Sequence, residues 1–151
     1  NKRENLKLHM VGKLQSNKAK SAIEIFDYIH SLDNQKLADT LSKNQKNLNK
    51  SLKYFIQVNI GNEIQKSGIP VNQLDFFYTY CTKEIKLDVI GLMVIPPNDG
   101  NANKYFKSME EINNSLALKE LSMGMSADYR EAIKYNATFV RIGSSIFGSR
   151  S

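Results

Sequence analysis

The chain has 151 residues, of which 41% are hydrophobic and 24% charged, with a net charge of +6. That suffices for one packed domain, is short for two, and excludes a disordered polyelectrolyte. The basic balance favours anionic partners, but the excess lysines (Lys18, Lys20, Lys43, Lys46, Lys50, Lys53) are scattered and read as solvated surface.

Short apolar runs alternate with longer amphipathic segments. Strands are predicted over Lys7–Val11, Tyr28–Ser31, Tyr54–Ile60, Leu87–Met93, Leu118–Met123 and Thr138–Ile142. YFIQVNI and LDVIGLM carry the β-branched and aromatic residues of buried strands. Helices are predicted at Asn17–Phe26, at Asn34–Asn49 behind Asp33 as N-cap, and at Val71–Lys83 behind Pro70. Two more follow: Ala102–Ser115, with Tyr105, Phe106, Met109 and Ile112 on one face, and Ser126–Tyr135, opened by Ser126. The turn-rich stretch 95–103 is too short for a domain linker. Regular β-α alternation implies parallel strands with helices outside, in either an open doubly wound sheet or a (β/α) barrel. No Gly-x-Gly-x-x-Gly follows a strand, which removes the main support for a dinucleotide fold. A full barrel has eight strands in about 250 residues, so six strands suggest that two βα units, roughly 60 residues, are missing at the N-terminus. A six-stranded remnant would expose two sheet edges.

The lone cysteine, Cys81, excludes an intrachain disulfide and favours a cytoplasmic location; its Tyr/Phe-rich setting reads as core. No apolar run is long enough for a membrane span. The aromatics are few and not interleaved with a basic stripe, which argues against nucleic acid. His9 and His30 have no carboxylate or cysteine at ligand spacing, so no metal site is expected.

Chemistry in such folds gathers at the C-terminal ends of strands. There the sequence places His9, His30 and Asp33, Asn59, then Ser122, Gly124 and Ser126, and last Arg141, Gly143 and Ser144. A glycine that lets backbone approach a ligand, followed by a helix opened by Ser126, suits phosphate, and Gly143-Ser144 repeats the idea on the next strand. Simple capping at Ser126 and a plain turn at Gly143 would explain the same residues. Arg141, inside an apolar strand, needs an acceptor: either a core carboxylate, or open solvent, or a ligand atom with a lone pair. His9 reads equally as a hydrogen-bonded structural histidine, and Met123 and Met125 as core fillers.

Five segments then combine: LHMVGKLQSNKAK (8–20), QVNIGNEIQKSGI (57–69), GLMVIPP (91–97), LSMGMSADYREAI (121–133) and VRIGSSIFGSR (140–150). Together they resemble the pyridoxal 5′-phosphate (PLP) homeostasis proteins, the YggS/PROSC family. The resemblance implies an α/β fold, a (β/α) TIM barrel of the alanine racemase N-terminal type lacking about its first two βα units, as one domain over residues 1–151. It implies PLP as cofactor, with Ser126, Gly143 and Ser144 at the phosphate, Arg141 at the pyridine nitrogen, and Met125 and His9 completing the cofactor-binding set. It implies a cytoplasmic monomer that buffers PLP and delivers it to PLP-dependent apoenzymes, with no nucleic acid or membrane partner and no strong catalysis; an amino-acid racemase is the alternative. The family's Val-Ser-Lys motif, which carries its Schiff-base lysine, and its Gly-Glu-Asn-Tyr segment have no counterpart in this sequence. No lysine here is assigned that role, and no catalytic residue is expected. Leu8 stands where the family has tryptophan.

Overall fold

A computed structural model of the chain describes residues 5–64 and 66–148; the last two positions of the 140–150 segment lie outside this range. The strands are β1 (His9–Met10), β2 (Tyr28–Leu32), β3 (Lys53–Asn59), β4 (Ile69–Pro70), β5 (Asp88–Met93), β6 (Glu120–Met125) and β7 (Phe139–Arg141). The helices are α1 (Ala19–Ile25), α2 (Gln35–Asn47), α3 (Leu74–Thr79), α4 (Ala102–Ser115), α5 (Tyr129–Lys134) and α6 (Ser144–Phe147). All strand pairs are parallel, in the order β1-β2-β3-β5-β6-β7, with β4 paired to the end of β3. Parallel pairs need crossovers, and here each main-path strand is joined to the next by a segment containing a helix. The result is a curled part of a β/α barrel.

The two faces of the sheet carry different chemistry. Ile29, Leu32, Tyr54, Ile56, Val58, Leu92, Leu121 and Met123 face the helices and form one core with Ile23, Leu37, Leu41, Phe77, Phe106 and Met109. Phe55, Met93, His30 and Ser122 are equally buried but lie outside that core, on the inner face. Strand alternation explains most of this division. A register shift between Ile29 and Leu32 explains why Leu32 turns to the helices although it has the parity of His30. On the inner face the Phe139 ring of β7 lies 5.2 Å from Phe55, 5.7 Å from His9 and 5.9 Å from His30. The sheet thus curls until its last strand packs its side chain against its first three.

Several expectations about element ends need correction. α2 is capped by Asn34, whose side-chain oxygen accepts from the Leu37 amide at 2.9 Å, rather than by Asp33. The buried face of α4 comprises Phe106, Met109 and Asn113, with Tyr105 and Ile112 only half-buried. Asn113 fits there because its side chain accepts from Leu92 N at 3.2 Å and donates to the Leu118 carbonyl at 3.1 Å, which satisfies its buried amide. The segment after Pro70 begins as a 3-10 turn, and α3 widens into a π turn over Tyr80–Glu84. The two-residue strand β4 and the short helix α6 have no counterpart in the sequence reading.

Candidate functional site

The C-terminal ends of β6 and β7 form one corner. Gly124 takes φ +96°, and a Cβ there would lie 2.7 Å from Ala132 Cβ and 2.9 Å from Tyr129 Cα. Only glycine lets β6 end this close to α5. The turn that follows is pinned by the Asp128 carboxylate, which accepts from the Met125 amide at 2.7 Å. Ser126 therefore does not open a helix; α5 starts at Tyr129. The Ser126 hydroxyl reaches the neighbouring strand end instead, accepting from Gly143 N at 3.2 Å and Ser145 N at 3.3 Å. Two backbone N–H groups at the start of α6 thus converge on one oxygen, so Ser126 caps α6 from the neighbouring strand end rather than opening α5.

A cleft of about 730 Å³ opens beside them, lined by Val11, Met125, Ser126, Arg141, Gly143 and Ser144 among others. It unites every residue expected at the site except His9. Met125 is exposed here, so the core reading holds for buried Met123 and fails for Met125, which lies beyond the Gly124 bend.

Arg141 is held without a carboxylate. Its Nη1 donates to Ser122 Oγ at 2.8 Å and its Nη2 to the Val94 carbonyl at 2.8 Å. Neither the core ion pair nor the outward-pointing side chain is found, because two neutral acceptors on adjacent elements take up the guanidinium. Its buried Nε has no partner among the described residues. Burial lowers its pKa, a trend that Asp128 opposes.

His9 stacks on Tyr28 (centroids 4.2 Å apart, planes within 10°) and shares a 2.9 Å hydrogen bond, through Nδ1, with His30 Nε2. His30 stacks on Phe55 (4.2 Å, 17°), and its Nδ1 lies 2.8 Å from Ser122 Oγ. His9 therefore reaches Arg141 only through His30 and Ser122. Burial, reinforced by the positive charges of His9 and Arg141, holds His30 down at about 3; burial also lowers His9, against the pull of Asp27. The sequence reading placed His30 and Ser122 at strand ends but gave neither a role at the site. The available signal was alternation: Tyr28 and His30 share one face of β2, and Ser122 sits between two apolar residues of β6.

Among the described residues no cluster of three or more His, Cys, Asp or Glu could hold a metal, and no helix is long and apolar enough to cross a membrane.

Comparison with known proteins bears on this corner. The alanine racemase N-terminal domain family matches residues 2–151. A pyridoxal phosphate homeostasis protein of Aquifex aeolicus is 38% identical over 154 residues, covering 96% of this chain and 68% of its own length. A protein of the same name from Synechocystis is 36% identical, covering 97% of this chain and 72% of its own. Among solved structures, PipY of Synechococcus elongatus with PLP bound superposes with a TM-score of 0.86 at 34% identity, over 95% of this chain and 71% of PipY.

Proposed function

The chain belongs to the pyridoxal phosphate homeostasis protein family, and from that membership we propose that it binds PLP in the Arg141–Ser126 cleft and acts as a carrier. The observation that supports this most is the character of the cleft's polar groups. The Ser126 and Ser144 hydroxyls and the Arg141 guanidinium line the cleft, and Gly143 N and Ser145 N donate to Ser126 Oγ, which leaves that hydroxyl's own proton to donate. A phosphate dianion can accept from the serine hydroxyls, and a pyridine nitrogen with a free lone pair can accept from the guanidinium.

In this reading Ser126, Gly143 and Ser144 hold the phosphate and Met125 borders it. Arg141 faces the ring nitrogen, and His9 acts at a distance. When bound, PLP supplies an electron sink, and a guanidinium that keeps its ring nitrogen unprotonated weakens that sink. This favours holding and delivering the cofactor over turning over a substrate, and PLP-dependent apoenzymes are the proposed recipients. We further propose one domain over residues 1–151, working as a cytoplasmic monomer.

The test is a PLP titration, followed by absorbance, of the wild type and of Ser126→Ala/Ser144→Ala. Loss of hydrogen bonds to a charged phosphate should weaken binding about tenfold or more. Equal affinities would reject the phosphate assignment.

A further inference from the structure

We propose that Ser122 and His30 are positioning residues for Arg141, forming with His9 a neutral hydrogen-bond relay whose donors all point away from the guanidinium. The proposal rests on reading Arg141 as the contact to the ring nitrogen, and it assigns the ring end of the site its selectivity.

Proton counting fixes the direction. Arg141 Nη1 can only donate, so it consumes a lone pair of Ser122 Oγ. Ser122 is fully buried, and among the described residues the only other group hydrogen-bonded to its hydroxyl is His30 Nδ1. If His30 carried its proton on Nδ1, the serine proton would be left buried with no acceptor. The serine therefore donates to a bare Nδ1. The His30 proton is on Nε2, where it donates to His9 Nδ1 at 2.9 Å, and the proton of neutral His9 is on its own Nε2. Stacking on Phe55 and Tyr28 holds both ring planes, so neither histidine can turn to reverse the relay cheaply. The low pKa of His30 agrees with a neutral chain.

The consequence for Arg141 is specific. Two uncharged acceptors from different elements, Ser122 Oγ and the Val94 carbonyl, fix the plane of the guanidinium and leave Nε directed elsewhere. No carboxylate among the described residues bonds to it, so its charge stays available to a ligand. Such a group favours a ring with a bare nitrogen over one with C–H at that position. A carboxylate in place of Ser122 would hold the arginine equally well but would blunt that preference.

The experiment compares two probes, PLP and its carbocyclic analogue in which C–H replaces the ring nitrogen. In the wild type PLP should bind about tenfold more tightly or better. In Ser122→Ala and in His30→Gln that preference should fall to about twofold, with the analogue's own affinity unchanged; Ser122→Thr, which keeps the hydroxyl, should restore it. If the preference survives in both variants while PLP binds, the relay has no positioning role and the inference fails alone. If the wild type binds neither probe, the site reading fails and the relay's role toward a ligand falls with it. Histidine ¹⁵N shifts of the ligand-free wild type test the direction independently of binding and of any variant. Both rings should show the Nε2–H tautomer, and an Nδ1–H signal from His30 would overturn the assignment.

Discussion

Lowering the pH protonates His30 in the unfolded chain long before it does so in the folded one. The ordinary value of 6.5 falls to about 3 on folding, chiefly through burial. The sign follows from linkage. Between those two values the unfolded state binds the extra proton, so stability is intact above pH 6.5 and is lost as the pH falls toward 3. Each pH unit in that window is worth about 1.4 kcal/mol, so His30 alone should remove about 2.5 kcal/mol between pH 7 and pH 4.5. Against a typical domain stability of 5–15 kcal/mol this is a large effect. The assay is urea unfolding of the wild type and His30→Gln at half-unit steps from pH 7 to 4.5. The variant will differ at pH 7 because it disturbs the relay, but the diagnostic quantity is the slope. Carboxylates titrate in both proteins and cancel in the difference. Parallel pH profiles, with slopes agreeing within about 0.5 kcal/mol over the range, would refute a buried, neutral His30.

Two further substitutions probe the surroundings. Gly124→Ala combines a positive φ with contacts below 3.0 Å to Ala132 and Tyr129, so it should cost roughly 2–4 kcal/mol in urea unfolding; a neutral substitution would show that β6 does not need this close approach. Cys81 is fully buried and its thiol is pushed up to about 12 by that burial, with Asp39 adding to the effect. It should react with an aromatic disulfide reagent only at the rate of unfolding, and prompt reaction of the native protein would contradict its placement.

How far the sequence carried depended on which kind of signal a feature left. The β-branched and aromatic run YFIQVNI and the spacing of Phe106 and Met109 are local patterns, and β3 and α4 followed from them. Arg141, Gly143 and Ser144 stood out because a cation, a glycine and a serine are unusual after an apolar run, and they do line the cleft together with Ser126. The reason offered for Ser126 was different from what the fold does with it. Capping depends on where the helix begins, and the Asp128–Met125 contact moves that point to Tyr129. His30 and Ser122 are 92 positions apart, and each alone is an ordinary polar residue in a strand. Only the curl of the sheet brings them within hydrogen-bond reach. The Val94 carbonyl is a backbone group, and no residue type could have announced it.

The net charge of +6 gave the first hint of an anionic partner, yet the geometry assigns that hint to very little of it. Among the described residues, Arg141 is the one ionisable side chain lining the cleft. Exposed lysines elsewhere are screened beyond about 10 Å in salt and carry no directional information. What distinguishes the cleft is its donors: the Ser126 and Ser144 hydroxyls at one end and a guanidinium held by neutral acceptors at the other. Neutrality matters because a carboxylate partner would stabilise the arginine while cancelling the field that a ligand meets. Burying His30, Ser122 and half of Arg141 opposes folding, and the hydrogen bonds between them mainly offset their desolvation. An apolar inner face would have been the more stable choice by that reasoning. The polar chain crossing it is therefore better explained by what it does to Arg141 than by what it adds to stability.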